Sequence, residues 1–529
     1  MSLLDGTKKY ELTTIRGAAT LGDQYDRDIY SENARNVEYV LNKMVSTRRG
    51  FGQAWNPAKA ITAMYSWILA AANRLAYYNQ TDGVVTLRNL SAGTEVNLLT
   101  GIASTQYASF ASLGARLLFA LGTTAGAGSA QARVWDGLTA PGTADKAFEP
   151  PMISTAMSFG TSEPGVGLVS RGVHKLAVVF TTRTGYETRP CPVAAGFGSA
   201  GSIADLVPGS VTATGNKTLR VTITPSTTWP TAFVSAALLM TTVQNQARYF
   251  FVPGATAAVT GGGSGVVTFP DIALADVVLG SSSSTEAVTA SKNYFALYSQ
   301  DSAGAGPFSP FKVLGYSDRA VYLTLLSDGT SGAFVSNKGA PQWITLASHL
   351  IQLEEKRLIV TACVLKGSLY FFGPGWTYVC SDNTSLPVTW VPPQQADGRI
   401  GTPSVSGVSA NSSLGYAWVG DTTGLYLLEN GIYPALPISH LNQSEWDRIN
   451  WYGPQGSVEV LDFPERKVVM VKAPLDSIDA YGTHLLVWDY SQGKTWDKVN
   501  FCGTWDGDSF ASIGALARVF NPTAKLWEV

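Results

Sequence analysis

The chain has 529 residues, of which 45% are hydrophobic and 14% charged, and its net charge is −2. That length allows roughly two to four domains and a large core without disulfides or metals. The near-zero charge excludes a bulk basic field of the kind that drives nucleic-acid or membrane binding, while leaving room for a local patch. The charged fraction lies well below the ~25% usual for soluble domains, and 53 glycines help to fill the gap. Many short strands joined by glycine-rich turns give such a composition; long surface helices, which need Glu and Lys, do not. The 14 Trp, 22 Tyr and 21 Phe fit either a large β core or a surface covered by partner subunits, since interfaces are enriched in aromatics and depleted in Lys and Glu.

In chain order, residues 1–60 are the least β-like and read as an N-terminal arm and docking segment, with a basic turn at Thr47-Arg48-Arg49-Gly50. Residues 61–150 alternate apolar strands and turns. Ala63–Ala72 leads to a turn at Asn73-Arg74, Leu75–Tyr78 follows, and Thr81-Asp82-Gly83 turns into Val84–Leu87. An Asp-Gly pair between apolar runs is a strong hairpin signal. Arg116–Leu121 and Ala132–Trp135 repeat the pattern. Residues 151–310 read differently. Strands at Val173–Thr182, Thr218–Thr224, Ala232–Thr241 and Tyr249–Pro253, with shorter candidates at Val266–Phe269 and Tyr294–Leu297, fit an immunoglobulin- or fibronectin-like sandwich. Gly261–Gly265 is a hairpin loop. Residues 311–529 return to the first pattern. Gly367–Phe372 pairs with Trp376–Val379. Tyr416–Val419 turns at Gly420-Asp421 into Gly424–Leu428, which turns again and resumes at Ile432-Tyr433. Leu485–Tyr490 turns and resumes at Thr495-Trp496. The units recur every ~40–60 residues, the scale of propeller blades. The fold class expected is therefore all-β: a β-propeller interrupted by a sandwich-like insertion.

Cys191, Cys363, Cys380 and Cys502 form no CxxC pair and predict free thiols in a reducing compartment. The N-terminus lacks the apolar core of a signal peptide, so synthesis in the cytoplasm is expected. The sequons at Asn79, Asn89, Asn216, Asn383, Asn411 and Asn442 then carry no glycan. The longest apolar stretch, Ala63–Ala76, is too short and too polar to span a bilayer.

No catalytic, cofactor-binding or metal-binding residue is nominated. His174, His349, His440 and His484 lie far apart, without a metal motif. The chain has no G-x-S-x-G elbow, and Gly261–Gly265 lacks the Lys of a phosphate loop. Carboxylates able in principle to pair for glycoside chemistry are Glu354 with Glu355, Asp421, Glu445 with Asp447, and Asp506 with Asp508. Glu354 and Glu355, if extended, point to opposite faces. Each reads better as a turn or surface residue, and the chain is taken as a non-enzyme.

Four segments carry a resemblance. They are Glu32–Val37 with Thr47–Phe51; Ala132–Gly137 before Pro141, Pro150 and Pro151; Gly172–Phe180 with Gly185–Thr188; and Ile400–Val405 through Trp418–Asp421 and Gly424–Tyr426 to Gly431, with Ile438, Ser439 and Trp446 after it. In that order they resemble the β-propeller tail proteins of short-tailed bacteriophages, the tail nozzle or tail tubular protein B type. The resemblance implies a structural protein of the virion tail, assembled in the host cytoplasm. A homo-oligomeric ring, expected to be a hexamer, would sit below the portal–adaptor assembly, contact the tail adaptor protein and the tail fibres, extend the DNA channel, retain the genome and permit its ejection. Its contact with phage DNA would be transient and non-specific, because tight phosphate binding would stall ejection. Each subunit would offer a heterologous interface that closes the ring. The alternative is a host-surface carbohydrate-binding or receptor-binding propeller, with Trp376, Trp390 and Trp418 stacking on sugars. A glycosidase ranks below both.

Overall fold

In the computed structural model the described residues are 37–40, 44–47, 61–69, 72–114, 116–122, 131–135, 157–182, 190–192, 207–230, 233–279, 287–288, 309–325, 331–336, 338–339, 341, 350–351, 358–373, 376–381, 394–395, 408–413, 415–434, 436–453, 456–477, 482–495, 501–506, 513–521 and 526–528. Within them the chain is almost wholly antiparallel β-structure. A leading hairpin joins β1 (Val37–Val40) and β2 (Met44–Thr47), and β1 lies beside the last strand of the sixth blade.

Six small sheets follow as blades, each threaded in simple sequence order. Blade one is β3 (Ile61–Leu69), β4 (Ala72–Asn79), β5 (Val84–Asn89) and β6 (Glu95–Leu99). Blade two is β7 (Tyr107–Leu113), β8 (Arg116–Gly122) and β9 (Gln131–Trp135). The insertion then intervenes with β10 (Met157–Ser162), β11 (Val166–Val169), β12 (Gly172–Thr182), β13 (Gly209–Ala213), β14 (Arg220–Pro225), β15 (Phe233–Thr241), β16 (Tyr249–Ala258), β17 (Val267–Thr268) and β18 (Ala287–Val288). Blade three is β19 (Ser309–Tyr316), β20 (Arg319–Leu325), β21 (Ser331–Val335) and β22 (Leu350–Ile351). Blade four is β23 (Thr361–Leu365), β24 (Ser368–Gly373), β25 (Trp376–Ser381) and β26 (Gln394–Gln395). Blade five is β27 (Val408–Ser413), β28 (Tyr416–Asp421) and β29 (Gly424–Leu428). Blade six is β30 (Glu459–Phe463), β31 (Val468–Ala473), β32 (His484–Asp489) and β33 (Phe501–Asp506). A last hairpin pairs β34 (Val519–Asn521) with β35 (Leu526–Glu528).

The blades stack because their central strands are apolar on both faces. Side chains of a strand alternate between faces, so one strand serves two cores. In β20, Ala320 and Tyr322 pack toward blade two, while Val321 and Leu323 pack toward blade four. In β24, Leu369 and Phe371 join the blade three–four core, and Tyr370 and Phe372 the blade four–five core. In β28, Tyr416 and Trp418 face blade six, and Ala417 and Val419 face blade four. Each buried side chain of this size contributes about 1.5–3 kcal/mol, and the same alternation makes these strands read as unbroken apolar runs.

The ring has one atypical junction. Clusters bridge blades one–two, two–three, three–four, four–five and five–six. The remaining face of blade six packs instead on Ile513 and Leu516 of the C-terminal segment. That segment also reaches blade one: a Cβ on Gly514 would sit 1.8 Å from the Ile61 carbonyl oxygen, so only glycine permits the approach. Segment 513–518 thus wedges between the last blade and the first.

The sandwich has a three-stranded sheet, β10-β14-β17, facing a five-stranded sheet, β13-β12-β15-β16-β18. Its core is its own, centred on Phe180, which stacks on Phe233 at 4.3 Å and tilts against Trp229 at 5.5 Å. Blades two and three stay neighbours across the insertion, since a Cβ on Gly122 of β8 would lie 2.2 Å from the Pro310 carbonyl oxygen of β19.

Three local readings are corrected. Asn73 and Arg74 are not a turn: they pair with Ile68 and Trp67 inside the β3–β4 hairpin. Ile432-Tyr433 does not resume as a strand. It makes one bridge to Glu429, and the chain then runs into a 3-10 turn, Ile438–Asn442, and a short helix, Gln443–Asp447. The fourth strand of blade six is Phe501–Asp506; Thr495 lies in a bend, and Trp496 is outside the described residues. Tyr294–Leu297 lies outside the described residues.

Candidate functional site: the central channel

The first strand of every blade faces the propeller axis. β3, β7, β19, β23, β27 and β30, with residues 516–518, enclose a cavity of 880 Å³, within the size range of small-molecule pockets. Neighbouring inner strands are bonded through polar side chains. Ser109 Oγ of β7 accepts from the Val313 amide of β19 at 3.2 Å. Ser409 Oγ and Asn411 Oδ1 of β27 accept from the Val460 and Asp462 amides of β30 at 3.1 and 3.3 Å. Tyr65 and Ser112 hydroxyls meet at 2.9 Å between β3 and β7. A polar residue at an inward position of a first strand is therefore a structural device here: it satisfies the exposed backbone edge of the next blade.

The charged side chains that line the channel are Lys312, Arg518, Glu459, Asp462 and Glu465. Lys312 projects from β19 and donates to Thr361 Oγ1 of β23. Burial pushes its ammonium down from the usual lysine range, with Cys363 and Glu459 pulling the other way. Burial likewise pushes the Cys363 thiol up to about 12, which keeps it neutral. Glu459 of β30 lies 3.6 Å from Lys472 Nζ and accepts the Leu516 amide at 3.0 Å. Lys472, itself with no exposed surface, donates to the Gly514 carbonyl at 2.6 Å. Glu459 keeps 33% of its side-chain surface against the channel space. Burial raises its carboxyl all the same, with Lys472 and the Leu516 amide opposing. Burial lowers Lys472, and Glu459 opposes it.

Asp462 closes one side of the site. It accepts from Tyr490 Oη at 2.6 Å and Tyr416 Oη at 2.9 Å, and the two hydroxyls are 2.9 Å apart. Burial and these bonds raise Tyr490 beyond the usual phenol range, and burial is the chief cause that pushes Tyr416 up to about 12. Lys494 Nζ sits 3.2 Å above the Tyr416 ring, a cation–π contact.

Of the carboxylates singled out in the sequence, Asp421, Glu445 and Asp447 among the described residues each have partners close by in the chain. Asp421 is buried at the end of β28, where Oδ1 accepts from the Thr423 amide and hydroxyl. Glu445 pairs with Arg448 at 2.7 Å, and Asp447 accepts from Gln443 at 2.8 Å. Asp506 ends β33; Glu354, Glu355 and Asp508 lie outside the described residues. His174 is fully buried in the sandwich, its ring nitrogens 2.8 and 3.0 Å from the Thr241 and Ser170 carbonyls. His484 contacts the Thr483 hydroxyl, and His440 lies in the 3-10 turn; His349 is outside the described residues. Among the described residues no three His, Cys, Asp or Glu side chains gather as a metal site, and no helix is long and apolar enough to cross a membrane. Trp376 and Trp418 are core side chains, 4% and 0% exposed, and present no face to a sugar; Trp390 is outside the described residues. Cys191, Cys363 and Cys380 are free and buried.

No family model matches the chain, and no curated protein does. Solved structures similar to it include dipeptidyl peptidase 4 of Porphyromonas gingivalis, at 8% identity and TM-score 0.29, over 83% of this chain and 44% of that one. The chain thus spans less than half the length of that peptidase. The Cps50 (Swd1) beta-propeller domain of Myceliophteria thermophila matches at 10% identity and TM-score 0.28, over 78% and 93%. A lectin of Aleuria aurantia in complex with a fucoside matches at 9% and 0.22, over 72% and 96%. The sheets themselves make the described chain an all-β propeller interrupted by a β-sandwich.

Proposed function

We propose that this chain is a structural protein of a bacteriophage tail, of the nozzle or tail tubular kind. Copies of it form a homo-oligomeric ring below the adaptor that extends the DNA channel, retains the genome and lets it pass at ejection. The observation that supports this reading is the order of the chain: two blades, a sandwich with its own core, then four blades, the order in which the resembling segments fall. The exposed apolar side chains of the sandwich agree with an assembling protein. Val166 and Val277 are 87% and 78% exposed and Leu168 is 65% exposed. The Leu168 amide bonds to the Ala273 carbonyl, which draws these segments together. Patches of this kind mark interaction surfaces. The DNA path in such a ring is the axis between subunits; the propeller's own 880 Å³ channel has room for a small molecule, not a duplex.

Electron microscopy of the purified protein, with mass spectrometry of virions from its host, tests the reading. Rings and a tail-located protein are expected. A protein that stays monomeric at all concentrations and is absent from virions overturns it.

A further inference from the structure

The two ends of the propeller differ in charge. Contacts between neighbouring first strands run in step along the chain. Ser109 and Ser112 lie against Val313 and Gly315, Lys312 and Tyr316 reach Thr361 and Gly367, and Ser409 and Asn411 bond Val460 and Asp462. These strands are therefore parallel, and the turn after each falls at one end of the propeller, its finishing end. Arg116, Lys338, Lys366, Arg466, Lys467 and Lys494 keep exposed surface there, on blades two, three, four and six. Blade one adds Arg74 and Arg88, and the C-terminal segment adds Arg518. The acidic side chains with surface at this end are fewer among the described residues. They are Asp318, Glu429 and Asp489, with Glu95 and Glu465, which pair with Arg88 and Arg518 at 2.8 and 3.5 Å.

The opposite, starting end is acidic. Asp82, Glu445, Asp447 and Asp476 keep surface there, Asp476 with 60% of its side chain exposed. Arg448 stands among them, bound to Glu445 and Asp476. Each end also carries exposed apolar side chains: Ile432, 67% exposed, at the finishing end, and Tyr452 and Leu436, 71% and 39% exposed, at the starting end. Ile432 bridges to Glu429. Leu436 precedes Pro437, which lies against Gly424, and Tyr452 follows Asn450, whose amide bonds the Pro474 carbonyl beyond β31. Apolar anchors within a charged rim are the anatomy of a protein interface.

We propose that the partner of each end is the other end of a second copy of this chain, so that propellers associate head to tail. The basic finishing end of one copy seats on the acidic starting end of the next. Complementary charge steers such encounters and fixes which surfaces meet. A two-fold pairing would instead set like charges face to face, at either end, and is disfavoured. A head-to-tail contact repeats: it closes a ring if the rotation between copies closes, and otherwise builds a stack. It supplies the contact that the proposed tail ring needs, and rests on that reading for its place in a tail; the pairing itself does not require it.

The test is sedimentation velocity of the full chain over a range of concentration and salt. Association is expected, and should weaken between ~0.1 and ~1 M sodium chloride as charge is screened. Lys366→Glu with Arg466→Glu makes the finishing end acidic, and Asp447→Lys with Asp476→Lys makes the starting end basic. Each double variant alone should associate at least ~10-fold more weakly, because like charges now meet. Their equimolar mixture should recover association, since the altered ends complement each other; a misfolded variant could not do this. Tyr452→Ser, which leaves every charge in place, should also weaken association. A wild-type chain that stays monomeric at every concentration and salt overturns the proposal, as does a mixture that fails to recover. Rings that form unchanged in both double variants overturn it while leaving the tail reading intact. Saturable binding of duplex DNA, lost with Lys366→Glu and Arg466→Glu in a chain that does not self-associate, would make a polyanion the partner of the basic end and overturn it too.

Discussion

Among single residues, Tyr490 shows how a buried polar group is made tolerable. Its hydroxyl is bonded to both Asp462 and Tyr416, and 5% of the residue is exposed. Tyr490→Phe keeps the ring that packs on Trp418 at 5.4 Å but leaves an Asp462 oxygen without its donor. A loss of about 1–3 kcal/mol is expected, read as a lower urea midpoint with an unchanged slope. Such residues were only partly visible in the sequence. Tyr490 could be assigned to an aromatic strand, but its partners lie 28 and 74 positions away, and no local rule joins them. The same holds for the channel. Lys312 and Glu459 interrupt apolar strands, and a polar residue at an inward position was the available signal. Its meaning depends on knowing that first strands face an axis. The tryptophans were open to misreading for the opposite reason: an aromatic at a strand position looks alike whether it faces solvent or the next blade.

For the elements, segment 513–518 is the part whose loss would tell most. Lys472 and Glu459 hold it by the Gly514 carbonyl and the Leu516 amide. Removing one partner of a fully buried pair costs about 3–5 kcal/mol, whereas replacing both by apolar residues can be nearly neutral. Glu459 keeps a third of its side-chain surface, so Lys472→Met is expected to destabilise by less than that range, and Lys472→Met with Glu459→Met less than the single change. The pH dependence of the single variant follows from Glu459. Its carboxyl is raised by burial with Lys472 present and rises further without it. A group raised on folding contributes stability that is greatest below its unfolded value and is lost as pH rises through its folded value. The Lys472→Met deficit should thus shrink at pH 5 relative to pH 8; a deficit that grows on acidification would refute this. Turn chemistry made many hairpins legible: Thr81-Asp82-Gly83 turns as expected, with Gly83 at φ 62. It failed at Asn73-Arg74, because two residues of turn-like type are held extended when the strands pair through them.

Considering the whole molecule, the insertion and the propeller are separate cores. Among the described residues the sandwich cluster contains no blade residue, and blades two and three remain in contact through Gly122 and Pro310. Independent cores melt independently unless their interface is large. Calorimetry should therefore resolve two transitions. A chain with residues 151–305 replaced by a short Gly-Ser linker should keep the propeller transition and lose the other; a single cooperative transition abolished by the deletion would show the two to be one unit. The division into two patterned blocks around an insertion was readable from periodicity and turn spacing. The count of six blades among the described residues was not, because three paired strands are described in blades two and five and the repeat length varies with the loops.

The wedge between the first and last blades also has a kinetic consequence. Ile61 and Gly514 meet only after the whole intervening chain is in place, and contacts so distant in sequence are slow to form. Until residue 514 has left the ribosome, the inner strands of blades one and six lie at an open seam. Unpaired strand edges of that kind recruit other chains. The nascent protein is thus exposed to misassembly until residues 513–518 have been made and seated between blades one and six.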